Sequence, residues 1–142
     1  MTLCTAVIGY AQTFVIDYIT YTIISNQPPQ AVKVTGYNTS GGSVVNIPTS
    51  VINNSITYNV TTIDEYAFQN KALTSVTIPN SVIIIIIIIG LAAFQTNTLS
   101  SVTIPDSVTN IGMLSFAQNQ LTSIVLSINI TDIPFVELTL QI

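Results

Sequence analysis

Ile89 to Val108 reads IGLAAFQTNTLSSVTIPDSV, and variants of the same string flank it: Ile63 to Val82, IDEYAFQNKALTSVTIPNSV, on one side and IGMLSFAQNQLTSIVLS from Ile111 on the other. Each copy sets an aromatic five residues beyond its leading isoleucine, at Phe68, Phe94 and Phe116, and a leucine five residues further on, at Leu73, Leu99 and Leu121. Self-similarity of this kind marks a repeat architecture, in which no single unit buries its own apolar face and stacking supplies a shared interior.

The core of each copy is L-x-x-V-x-I: Leu73, Val76, Ile78; Leu99, Val102, Ile104; Leu121, Ile124, Leu126. Side chains alternate across a strand, so the last two members of each trio point inward and Thr77, Thr103 and Val125 between them point outward. Pro79 and Pro105 lack an N–H and end each strand, with Asn80-Ser81 and Asp106-Ser107 forming the turn. The phenylalanines fill the space behind the sheet, and the short AFQN, AFQT and SFAQN stretches predict one turn of helix or 3₁₀ helix. The leucine spacing is 22 residues between the last two copies (121 minus 99) and 26 between the first two (99 minus 73). The four extra residues fall in a run of seven isoleucines, Ile83 to Ile89.

The string IGxxAFxxNxLxSVxIPxSV resembles the BspA-like leucine-rich repeat, a variant found in surface and secreted proteins of bacteria and some protists. The resemblance covers about half of the chain. It implies a mainly β leucine-rich-repeat solenoid with a parallel sheet of short strands, and a role as adhesin, binding module or repeat stalk. The repeat has no catalytic residues of its own, so none carries over.

Composition points the same way. Hydrophobic residues make up 49% and charged residues 6%, so Thr, Ser and Asn supply most of the polar surface, which is a β palette poor in strong helix formers. With Lys33 and Lys71 as the only cations and a net charge of -4, the chain has nothing to neutralise a phosphate backbone, which excludes nucleic acid as a partner. The six carboxylates are scattered along the sequence and form no block that would steer a cationic partner. Absence of histidine removes the commonest general base and metal ligand, and the sole cysteine, Cys4, has no internal disulfide partner.

Residues 1–11, MTLCTAVIGYA, read as a residual secretory signal whose basic segment is missing, or else as an ordinary first strand. Residues 12–62 read as a β-rich N-terminal cap with a degenerate repeat. Phe14 to Ile24 has β character, Asn26 to Pro29 is a loop, and Ile47-Pro48-Thr49-Ser50-Val51 matches the Ile-Pro-x-Ser-Val of the later copies. The degenerate copy spans Val32 to Phe68 and carries an insertion, Asn53 to Val60. Residues 63–142 form the solenoid of about three copies, the last decayed or truncated: Ser127 replaces the proline, Pro134 the glycine and Leu138 the aromatic, and the chain ends on the apolar VELTLQI. The isoleucine run is too short to span a bilayer, for which about 20 apolar residues are needed. It reads as an expansion inside one loop, an extended segment that can lie on the outer side of the solenoid and that Thr-Asn-Ile could replace with the fold intact and solubility raised, at the cost of an aggregation-prone window.

No constellation supports an enzyme, a metal or another cofactor. Asp64 and Glu65 are neighbours that a strand would point to opposite faces, and Asp106 shares its repeat position with Asn80, as a turn former does. Four Asn-x-Ser/Thr matches, at Asn38, Asn53, Asn59 and Asn129, are glycan acceptors in a eukaryotic secretory route and are expected by chance in so Asn- and Thr-rich a chain. The expected function is a secreted or cell-surface binding module. Its contact face is the outward row Ser75, Thr77, Ser101, Thr103, Ser123 and Val125, and its partner a protein or cell-surface ligand, with self-association through the solenoid ends and the isoleucine run. A passive spacer or stalk, in a larger protein bearing an enzyme domain elsewhere, is the other reading.

Overall fold

The computed structural model describes residues 12–80 and 87–131. Expectations for residues 1–11, for Ser81 to Ile86, including the second residue of the Asn80-Ser81 turn, and for the tail beyond 131 lie outside the described residues. Eleven strands and one 3₁₀ turn are present among the described residues. In chain order they are β1 (Thr13–Ile16), β2 (Ile19–Ser25), β3 (Ala31–Tyr37), the 3₁₀ turn Thr39–Gly41, β4 (Val44–Asn46), β5 (Ser50–Asn53), β6 (Ile56–Ile63), β7 (Ser75–Thr77), β8 (Ile87–Ile89), β9 (Ser101–Thr103), β10 (Val108–Ile111) and β11 (Ser123–Val125).

The fold is mainly β, a leucine-rich-repeat solenoid of about three turns. Each coil contributes a short strand to one side and a second strand to the opposite side. The first side carries β4 paired with β7 and β9 paired with β11, both parallel. The opposite side is a seven-stranded mixed sheet in the order β1-β2-β3-β6-β8-β10, with β5 on β6. Its last three steps, β3 to β6 to β8 to β10, are parallel, as stacking of successive coils requires.

This second sheet corrects the reading of the isoleucine run. Val108, the last residue of the Ile-Pro-x-Ser-Val signature, opens β10 and is buried. The end of the isoleucine run is not an outer loop: Ile87–Ile89 is the strand between β6 and β10, with Ile87 and Ile89 fully buried and Ile88 exposed. A β-branched residue on alternate positions suits a strand packed on one face, so the run supplies strand and core at once.

The interior is the expected ladder. Leu73, Leu99 and Leu121 are all buried, as are Ile78, Val102 and Ile104, while Val76 and Ile124 are half-buried. Leu126 departs from the pattern at 37% exposure. Behind the strands the rings of Tyr37, Phe68, Phe94 and Phe116 form a column with centroids 5.7, 5.1 and 5.3 Å apart, the last two steps nearly parallel. Stacked pairs of this kind contribute about 0.5–1.5 kcal/mol each beyond their burial.

The third side of each coil differs from the expected helical turn. Residues 65–70 and their equivalents form tandem turns in which Tyr66, Ala92 and Leu114, then Asn70, Thr96 and Gln118, adopt left-handed backbone conformations. Each such non-glycine residue costs about 1–2 kcal/mol. The alternation aims successive N–H groups at the neighbouring coil: Tyr66 N donates to Leu91 O, Phe68 N to Ala93 O and Asn70 N to Gln95 O at 2.8–3.0 Å, and the next coil repeats the set from Ala92, Phe94 and Thr96. These bonds offset the strain and pair amides that face the neighbouring coil.

At the N-terminal end the sequence FVIDYITYTII is two strands, not one. Asp17 and Tyr18, both left-handed, make a tight turn that folds β1 back on β2, and β2–β3 continue the sheet antiparallel. Ile19, Tyr21 and Ile23 are buried, and Phe14 stacks on Tyr21 at 5.6 Å. The insertion at 53–60 takes in the end of β5, the turn of the β5–β6 hairpin and the first part of β6, again turned by two left-handed residues, Asn54 and Ser55.

Candidate functional site

The side carrying β4, β7, β9 and β11 holds every residue of the expected contact face, and all six are exposed: Ser75, Thr77, Ser101, Thr103, Ser123 and Val125. Their arrangement follows from the strand pleat. Val76, Val102 and Ile124 point into the core, which forces their neighbours out. Ser123 lies opposite Ser101 and Val125 opposite Thr103 in the β9–β11 ladder. β4 extends the row, since Val44 and Asn46 lie opposite Ser75 and Thr77 and are also exposed. The signal for β4 was legible in Val45-Asn46-Ile47-Pro48, which has the V-x-I-P spacing of the later copies.

The row is not continuous. β7 and β9 face one another across successive coils without forming a ladder. The coils are joined on one side of this gap by Thr98, whose N–H and hydroxyl both donate to Leu73 O at 2.9 and 3.0 Å. On the other side the Ser107 hydroxyl donates to Pro79 O at 2.9 Å. Between these two ties lies a shallow groove of about 540 Å³, lined by Ser75, Val76, Thr77, Ile78 and Asn80 of one coil, Ser101, Thr103, Ile104, Pro105 and Asp106 of the next, and Val125 and Leu126 of the third. The gap falls on the coil that carries the extra residues between β7 and β8, so the change of period from 26 to 22 was its one trace in the sequence.

Electrostatically the groove is simple. Asp106 is the one charged residue lining it, and it is exposed on the turn after β9. The two lysines stand elsewhere: Lys33 on β3 of the opposite sheet pairs with Asp64 at 2.7 Å, and Lys71 lies in the turn before Leu73. Asp64 therefore serves an ion pair, and Glu65 beside it is solvated, so the two do not meet as an acid–base pair. Among the described residues no three His, Cys, Asp or Glu side chains group as a metal site would require, and no helix is long and apolar enough to cross a membrane.

Two asparagines hold the coils that present the face. Asn97 Oδ1 accepts from Lys71 N and Leu73 N at 3.1 and 3.0 Å, while its Nδ2 donates to Phe68 O and Phe94 O at 2.8 and 2.9 Å. Asn119 repeats the pattern one coil on, with Leu99 N, Phe94 O and Phe116 O. Sequence reasoning included this asparagine in the repeat string without assigning it work. Its fixed place three residues after Phe94 and Phe116 was the available signal, which the first copy hides by placing Lys71 there.

A sequence profile of the BspA type leucine rich repeat region matches residues 45–136 in six copies. The match begins inside β4, within the segment read as a degenerate repeat. Among solved structures, a leucine-rich repeat protein from Bacteroides capillosus superposes with a TM-score of 0.57 at 27% identity, over 80% of this chain and 96% of that one. The pneumococcal vaccine antigen PcpA superposes with a TM-score of 0.59 at 14% identity, over 84% of this chain and 39% of the antigen, a likeness of fold alone. No curated protein aligns significantly with the chain. Repeat spacing, stacked coils and profile agree, and the chain belongs to the BspA type leucine-rich-repeat family.

Proposed function

We propose that the chain is a secreted or cell-surface interaction module without catalytic activity, binding a protein or cell-surface ligand through the β4, β7, β9 and β11 side. The observation that carries this reading is the exposed row of small, mostly uncharged side chains held on a stacked scaffold, with a groove across it and no competing constellation of acids, bases or metal ligands among the described residues. Such a face offers hydroxyl donors and acceptors at fixed spacing without the desolvation cost of charge. The family is one of surface and secreted proteins, which supports the location.

The test compares crosslinked capture from extracellular and cell-surface protein fractions by the wild-type chain and by a Thr77→Lys, Thr103→Lys double variant. Loss of a specific partner in the variant supports the reading, and an unchanged set of partners overturns the face. Fractionation of the expressing cell tests location, since accumulation in the cytosol would contradict secretion.

A spacer or stalk is the second reading. It is favoured by the absence of Trp, Tyr and Arg, the residues that dominate interface energetics, from the outward row. It predicts that no partner is captured by either form. Self-association belongs to the same proposal, with Val125 and Ile128 exposed on the last described coil.

A further inference from the structure

We propose that the seam between β7 and β9 is a two-position joint: the strands are parted in the structure and zip into a parallel ladder, Ser75 against Ser101, Val76 against Val102 and Thr77 against Thr103, that closes the groove. The joint is a property of the coils and holds whether or not the face binds a partner. Its register is set by the repeat, since each pair is 26 residues apart, as Leu73 and Leu99 are. The seams on either side show the closed form. Ile47 N donates to Thr77 O at 3.1 Å and Ile104 N to Val125 O at 2.8 Å, whereas no bond runs from the equivalent Ile78 N to Thr103 O. Thr74 N donates to Ser43 O at 2.8 Å and Thr122 N to Ser100 O at 2.9 Å, whereas none runs from Ser100 N to Thr74 O.

The parted stretch is short and pinned. Thr98 bonds Leu73 O just before it, the Ser107 hydroxyl bonds Pro79 O just beyond it, and the strands between still come within 8 Å of each other, Cα to Cα. A ladder needs a spacing of about 4.7–4.9 Å, so the strands have only to flatten toward one another. Behind them the two coils stay fixed by Phe68 on Phe94, rings 5.1 Å apart and 5° from parallel, and by Asn97. Closing supplies the missing bonds and covers Val76, which is half-buried where its equivalents Val45 and Val102 are buried. Against it stands coil length: four more residues separate Leu73 from Leu99 than Leu99 from Leu121, and the longer coil must spread somewhere. The parted groups on exposed Thr74, Ser100 and Thr103 reach water, so the net gain of each new bond is small and neither position excludes the other. A partner spanning both strands selects the closed position with its continuous outward row, and one seated in the groove selects the open position.

Amide hydrogen exchange and NMR relaxation dispersion on the wild-type full chain test the joint. The Ile78 and Ser100 amides should exchange at least about ten-fold faster than their bonded equivalents Ile104 and Thr122. The amides of Val76, Ile78, Ser100 and Thr103 should also show exchange broadening on the microsecond-to-millisecond scale. Oxidation of a Thr77→Cys, Thr103→Cys variant should trap the closed position, slowing Ile78 to the rate of Ile104 and quenching the broadening, with both effects reversed by reductant. Equal protection of Ile78 and Ile104 in the wild type means a permanent ladder, and fast amides without broadening mean a permanently open groove; either result overturns the joint. A disulfide that forms and leaves Ile78 exchanging as before overturns it too. Should the variant fail to fold, the two wild-type measurements decide the matter.

Discussion

The side-chain oxygen of Asn97 accepts the backbone N–H of Leu73 at 3.0 Å, so a residue of one coil satisfies the amide that starts the core strand of the coil before it. The same side chain satisfies Lys71 N, Phe68 O and Phe94 O and is itself buried. Asn97→Ala leaves the Leu73 amide without a partner in the interior, and each orphaned group costs about 1–3 kcal/mol. Equilibrium urea unfolding should show a loss of about 2–4 kcal/mol on that basis. Asn97→Asp, which keeps the acceptor oxygen and loses the donor, should be destabilising as well.

Phe94 stacks between Phe68 and Phe116 and is fully buried. Phe94→Ala opens a cavity in the middle of the ring column and should cost about 3–5 kcal/mol. Phe116→Ala should cost less, since that ring is less completely buried, at 6% exposure against 0% for Phe94. Chemical denaturation of the two variants side by side checks the order.

Gly112 is required by proximity. A Cβ there would lie 2.5 Å from Gly90 C and 2.6 Å from Leu91 N, backbone atoms that cannot turn aside. Gly112→Ala must push two coils apart and should cost about 1–3 kcal/mol or more. The equivalent place in the first coil is Asp64, whose N–H donates to Val34 O and whose carboxylate reaches Lys33. A thermal melt of Gly112→Ala at unchanged β circular dichroism tests the point.

Within the isoleucine run the three described residues should respond by parity. Ile88 is exposed between Thr62 and Asn110, so Ile88→Thr should be neutral within about 0.5 kcal/mol and should raise solubility. Ile89→Thr buries a hydroxyl in the core and should cost about 2–4 kcal/mol. Wholesale replacement of the run by polar residues, benign if it were an outer loop, should therefore unfold the sheet. Sedimentation of the soluble fraction and urea midpoints separate the two outcomes.

Burial, with the nearby Asp17 carboxylate, pushes the Tyr21 hydroxyl above its ordinary pKa of 10.0. The neutral form is thus favoured in the folded chain. Its stabilisation is complete below pH 10, the unfolded value, and is lost as pH rises from there toward the folded pKa. Stability should fall above pH 10, and Tyr21→Phe, which cannot ionise, should flatten that fall in an alkaline titration of the melting temperature.

The repeat sequence determined the fold class, the inward leucines, valines and isoleucines, and the outward row on β7, β9 and β11, because strand parity and the recurrence of apolar residues are properties of neighbours in sequence. The second sheet, the left-handed turns, the asparagine ties and the gap between β7 and β9 were decided by tertiary structure. Each depends on which backbone groups of one coil meet those of the next, some 22 to 26 residues away in the chain. Ile88 and Ile89 make the distinction concrete: identical side chains in an unbroken run, assigned to solvent and to core only when β6 and β10 close on either side of them.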